Sequence, residues 1–151
     1  MALPDMIPIA YEPDYHTGTI GRYVGGQFFA SIHGAHPPGA DPLDRGSLRW
    51  YVVLHLFDPD GRHRSSDIWY AGAGGVFAGA IAEAGEARLR RLLDSLADQE
   101  YGDIAIRPFQ VEHDGVVFGL IDESDEERGD WAELHPNRLG FGPPWDGGYD
   151  T

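Results

Sequence analysis

The stretch Arg49-Trp50-Tyr51-Val52-Val53-Leu54-His55-Leu56-Phe57, followed at once by Asp58-Pro59-Asp60-Gly61, decides the class of fold. A run rich in aromatic and β-branched side chains suits a pleated, half-buried strand. The residues after it suit a turn, because Pro pre-sets one dihedral and Gly accepts a left-handed one. The chain then returns through Asp67-Ile68-Trp69-Tyr70. Outward from this hairpin the same signature recurs on both sides. Upstream, residues 19–24 and 27–33 flank Gly25-Gly26, a pair that fits a two-residue turn. Downstream, residues 104–113 and 116–121 flank Asp114-Gly115. Pro108 has no N–H to give a ladder, so its strand is expected at a sheet edge, or bulged there.

One segment breaks the period of two. Between the second and third hairpins, residues 81–97 place Leu89, Leu92, Leu93 and Leu96 at i, i+3, i+4 and i+7, a single apolar stripe on a helix. Residues 71–79 carry too much glycine for a regular element and are expected as a mobile loop. Residues 36–46 hold Pro37, Pro38, Gly39 and Pro42 and are expected to be irregular, while the acid-rich run 122–130 reads as an exposed turn. From Trp131 onward, Leu134, Leu139, Phe141, Trp145 and Tyr149 alternate with Pro and Gly. Disordered tails are poor in aromatics, so this one is expected to pack back as irregular structure. The expected fold is one α+β domain over residues 1–151. It is an antiparallel sheet of three hairpins with one helix against it, in the order ββββαββ, followed by an irregular aromatic tail.

The 151 residues suit one domain. The chain has 0 cysteines, which excludes a disulfide scaffold and any thiolate metal centre. The start Met1-Ala2-Leu3-Pro4-Asp5 lacks the basic and apolar regions of a signal peptide. No stretch approaches the ~20 apolar residues of a membrane helix. Cytoplasmic residence away from membranes is the expectation. Net charge is −14, from 25 acids against 11 bases, and every base is Arg. Such a surface repels phosphate backbones, so direct nucleic-acid binding is not expected. It suits simple solubility, or a basic protein partner.

Several motifs for catalysis or ion binding fail on inspection. Gly72-Ala73-Gly74-Gly75 is not followed by the Lys-Ser/Thr of a phosphate loop, and hairpins rather than a βαβ unit surround it. A calcium loop beginning at Asp122 would place Glu127 where the geometry demands Gly. His33 and His36 are three apart, a weak metal spacing, and no His-Glu-x-x-His occurs. No Gly-x-Ser-x-Gly elbow is present. No metal or cofactor is therefore expected.

Strand alternation gives a sharper candidate. Tyr51, Val53, His55 and Phe57 share one side of their strand, Gln27, Phe29, Ser31 and His33 share one side of theirs, and Asp67 shares a side with Trp69. Should these sides coincide, one sheet face gathers His33, His55, Asp67, Trp69, Tyr51 and Phe29. Aromatic walls with a few polar groups are the makings of a small-molecule pocket. The alternative is plain core, covered by the aromatic tail around Trp145. Two functions follow. One is a non-catalytic regulatory or protein-interaction protein, with another, basic protein as partner. The other is a small-molecule-binding protein or minor enzyme using the His/aromatic face.

A resemblance enters on particular segments. These are Ile7-Pro8-Ile9-Ala10, Asp14-Tyr15-His16-Thr17, Thr19-Ile20-Gly21-Arg22-Tyr23 and Gly26-Gln27-Phe28-Phe29-Ala30-Ser31. Ser66-Asp67-Ile68-Trp69, the run Glu100-Tyr101-Gly102-Asp103-Ile104-Ala105-Ile106-Arg107-Pro108-Phe109 and Pro144-Trp145-Asp146-Gly147 carry it further. Over nearly its whole length the chain resembles short proteins of GC-rich bacteria labelled formate hydrogenlyase regulatory protein. The resemblance implies a transcriptional regulator. No helix-turn-helix pattern or basic recognition helix accompanies it, so regulation through another protein is the expectation.

Overall fold

The computed structural model of the chain describes residues 3–151. Among them are β1 (Ile7–Ile9), β2 (Ile20–Tyr23), β3 (Gly26–Ala35), β4 (Arg49–Phe57), β5 (His63–Ala73) and helix α1 (Gly79–Asp94). The helix is followed by β6 (Glu100–Tyr101), β7 (Ile104–Ile106), β8 (Phe109–His113), β9 (Val116–Asp122), β10 (Ala132–His135) and β11 (Leu139–Phe141). The strands form a five-stranded sheet ordered β5-β4-β3-β2-β6, a four-stranded sheet ordered β11-β10-β9-β8, and a ribbon of β1 with β7. Each pairing is antiparallel. No described helix is long and apolar enough to cross a membrane.

All three expected hairpins form. At the β4–β5 turn, one oxygen of Asp58 accepts from the N–H groups of Asp60 and Arg62, both at 2.9 Å, and Gly61 sits at φ 81°. At the β8–β9 turn, Asp114 (φ 52°) and Gly115 (φ 75°) adopt the two left-handed conformations that match strand twist. The β2–β3 turn differs by one residue from the expectation. Tyr23 pairs with Gly26, so Val24-Gly25 is the loop. Gly26 is glycine for another reason: a Cβ there would lie 2.2 Å from the Phe57 carbonyl.

The order ββββαββ is corrected to βββββαββββββ. Residues 104–113 are two strands. Pro108 interrupts them, leaving β7 in the ribbon with β1 and β8 at the edge of the four-stranded sheet. Residues 71–73 end β5, and the remaining glycines lead directly into α1. The tail is not irregular throughout, because β10 and β11 form a hairpin that extends the four-stranded sheet. Trp131 lies across Gly140 and Gly142, where Cβ atoms would fall 2.1 and 2.7 Å from its ring. Pro and Gly in this segment serve close packing as well as chain reversal.

Three layers result. Leu92, Leu93 and Leu96 pack on Phe28, Ala30, Val52 and Leu54, on one face of the five-stranded sheet. The other face meets the four-stranded sheet, with Tyr51 and Val53 against Val116 and Phe118, and Phe29 and Phe57 among Leu120, Leu134, Leu139 and Phe141. The ribbon closes one side with Ile7, Ile9, Ile104 and Ile106. Gln27 ties it there. Its amide donates to Ala105 O (2.9 Å) and accepts from Ala105 N–H (2.8 Å).

Candidate functional site

The β3–β4 register pairs Phe29 with His55 and His33 with Tyr51, so these four do share a face. Asp67 and Trp69 do not join them. They pair with Leu54 and Val52, the residues that face the helix. The cause is register. A return strand offset by one residue sends its alternate set to the opposite face, and turn chemistry alone leaves that offset open. On the helix side, Asp67 receives both its hydrogen bonds from Arg88, at 3.0 and 3.1 Å, and the Arg88 guanidinium lies 5.7 Å from the Trp69 ring centre.

The shared face is filled mainly by the second sheet. Phe118 meets Tyr51 edge-on at 5.6 Å and lies 6.5 Å from His33, while Phe109 meets His55 at 4.9 Å. The expected cover around Trp145 contributes at one end only. Trp145 is half-buried against the cluster that contains Phe29 and Phe57. His33 and His55 are 2% and 1% exposed.

Burial lowers the pKa of His33 to about 4, opposed by the nearby Asn137 side chain and assisted by His16, and its Nδ1 is buried without a hydrogen-bond partner among the described residues. Burial lowers His55 to about 3, with His33 and His63 adding to the effect. Both are neutral imidazoles at pH 7. His55 Nδ1 lies 2.6 Å from the Ser66 hydroxyl, which lies 2.8 Å from His63 Nε2. A hydroxyl has one proton, so it donates to one ring and accepts from the other, fixing complementary tautomers. His63 stacks on Phe109 at 4.7 Å, and burial lowers its pKa too, against a hydrogen bond that the ring donates to the Ser65 backbone. This chain of bonds satisfies buried polar groups. Among the described residues no carboxylate hydrogen-bonds to it.

One cluster has metal-ligand chemistry that sequence spacing did not reveal: Glu123, Glu133 and His135, drawn from β10 and the end of β9. Burial alone would raise the Glu133 carboxyl, but hydrogen bonds from Arg138, Arg128 and Trp131 hold its pKa below the ordinary value. A cation would have to displace two guanidinium groups already in place. The arrangement is an internal ion-pair network.

Two surface features remain. The first is a cleft of about 370 Å3 where β2 leaves β3, lined by Asp14, Tyr15, His16, Thr19, Ser31 and Asn137, with Ile32 and Leu89 as its apolar part. The second lies on the loops at the far end of the sheet. Leu43 is 88% exposed and Val76 66%. Their loops touch: Gly74 N–H donates to Leu48 O at 2.9 Å, Trp50 Nε1 donates to Gly74 O at 2.9 Å, and Gly75 abuts Arg45. Neither feature stood out in the sequence. Two apolar residues separated by 33 positions, Leu43 between Pro42 and Asp44 and Val76 after Gly74-Gly75, look like ordinary loop content. No family model, curated protein or solved structure matches the chain.

Proposed function

We propose that this protein acts as a regulatory protein that works by binding another protein, without catalysis of its own. The observation that carries the reading is the pair of exposed apolar side chains Leu43 and Val76 on touching loops. Each of these side chains gains by leaving water against a partner's surface. The buried histidines supply the complementary support. Their face is consumed as core between two sheets, and none of His33, His55, Tyr51 or Phe29 lines the cleft described above. The resemblance to regulatory proteins of GC-rich bacteria points the same way, and net charge −14 favours a basic protein over nucleic acid.

The test is co-purification from the native cell with wild type and a Leu43→Asp/Val76→Asp double variant. A specific partner retained by wild type and lost by the equally stable variant is the expected result. Retention of that partner by the variant, or a gel shift of duplex DNA at sub-micromolar protein, would overturn the reading.

A further inference from the structure

We propose that the edge of β3 at Ile32 and Gly34 is a docking site for an extended segment of a basic partner protein, which adds a strand there and places an Arg or Lys side chain beside Asp14. This rests on the protein-binding reading and names the partner's chemistry and mode.

Hydrogen-bond parity locates the site. Ala30 N–H donates to Thr19 O at 3.0 Å, and the Thr19 hydroxyl bonds Ala30 O, so the backbone of Ala30 faces β2. Antiparallel strands alternate the side to which successive residues bond. Ile32 and Gly34 therefore also face the β2 side, yet β2 begins at Ile20 and its register ends at Phe29. Beyond Ala30 that side of β3 has no strand neighbour, and among the described residues no hydrogen bond reaches the N–H of Ile32 or Gly34. Such a row of unpaired groups is a template for another chain.

The cleft occupies that gap. Ile32 and Leu89 line it from the helix face of the sheet, Ser31 and Asn137 from the opposite face, and Asp14 to Gly18 form its far wall. It lies in the plane of the sheet, where a strand would lie. Three other edges are closed or blunted. Gln27 occupies the outlet of β7 at Ala105, Asp150 exchanges two bonds with Gly140 beside β11, and β5 carries two register shifts with Arg64 and Asp67 along it.

Charge selects the occupant. Of the titratable groups lining the cleft, Asp14, Tyr15 and His16, only Asp14 is an acid, and His33 stands behind His16. No Arg lines it. A second copy of this chain, carrying the same −14, would be repelled.

The test uses a displayed library of short peptides alternating Val and Thr, with Arg, Lys, Leu or Glu at the centre, followed by amide exchange on the full chain. In the free protein, Ile32 and Gly34 amides should exchange rapidly while Ser31 and His33 are protected. Enriched peptides should carry Arg or Lys and slow Ile32 and Gly34 by about tenfold or more. Methylating the peptide nitrogens that face β3 should abolish that protection, and Asp14→Asn should weaken the Arg peptide but not a Leu peptide. The inference is overturned if Ile32 and Gly34 are already protected without peptide, if nothing is enriched, or if Leu and Glu are enriched equally. It also falls if free agmatine binds as tightly as the peptide while both amides keep exchanging. None of these results touches the loss of partner expected from the Leu43/Val76 variant, so the two readings fail separately.

Discussion

The two faces of the five-stranded sheet solve burial differently. Toward the helix, β3 and β4 present Phe28, Ala30, Val52 and Leu54, and the groups pressed on them are leucines. Toward the second sheet, the same two strands present Gln27, Phe29, His33, Tyr51, His55 and Phe57, a face with three buried polar side chains. A helix supplies a smooth apolar stripe and no spare backbone groups at its middle. The polar groups on this side find partners from two sources: the ribbon offers Ala105 to Gln27, and β5 of the same sheet offers Ser66 to His55. His33 is the exception, its Nδ1 buried without a hydrogen-bond partner among the described residues.

Phe118→Ala should show the largest effect, a loss of about 3–5 kcal/mol in denaturant unfolding, since Phe118 is fully buried between Tyr51 and His33. Leu92→Ala on the helix side should cost about 2–3 kcal/mol, because the end of a helical layer relaxes around a lost side chain more readily. Equal costs would erase the distinction between the faces.

Between pH 6.5 and 4, acid should act through the histidine face. The unfolded chain takes up protons on His33 and His55 near pH 6.5, whereas the folded chain resists until about pH 4 and about pH 3 respectively. Stability is therefore full above pH 6.5 and falls as pH drops toward 4, by on the order of 3 kcal/mol per buried histidine. A His33→Gln/His55→Gln variant should show a flatter profile between pH 6.5 and 4, whatever its absolute stability. An unchanged slope would mean that the acid sensitivity comes from elsewhere.

The smallest effect belongs to the helix side. Arg88→Ala should cost no more than about 1 kcal/mol, because its pairing with Asp67 is partly solvated and so is worth little. A larger loss would reveal that the Arg88–Trp69 contact carries the docking of α1.

Much of this contrast was legible in the sequence. Alternation along Arg49–Phe57 puts Tyr51, His55 and Phe57 on one side, and the leucine spacing predicts the helix stripe that packs on the other. What the sequence withheld was register and cover. Nothing local to Asp67-Ile68-Trp69 says which residue of β4 each will face, and a one-residue offset decides it. The cover was hidden in segments too short to look periodic: Ala132-Glu133-Leu134-His135 alternates over only four residues, and Leu139-Gly140-Phe141 over three. Trp145 drew attention by its size, yet the sheet that fills most of the histidine face is built from Phe109 and Phe118. The cleft beside Asp14 was illegible for a related reason. It arises where β2 stops and β3 continues, a difference in strand length that only pairing exposes.

Gln27 has a further consequence, one of traffic between strands. Its amide offers Ala105 the same donor and acceptor that a neighbouring peptide unit would, and Ala105 stands opposite Pro8, which has no N–H to give. A single side chain thus serves as a one-residue counterfeit strand. That traffic is internal, since Gln27 is only 1% exposed: one side chain joins the ribbon to β3 where a ladder would need a whole further strand.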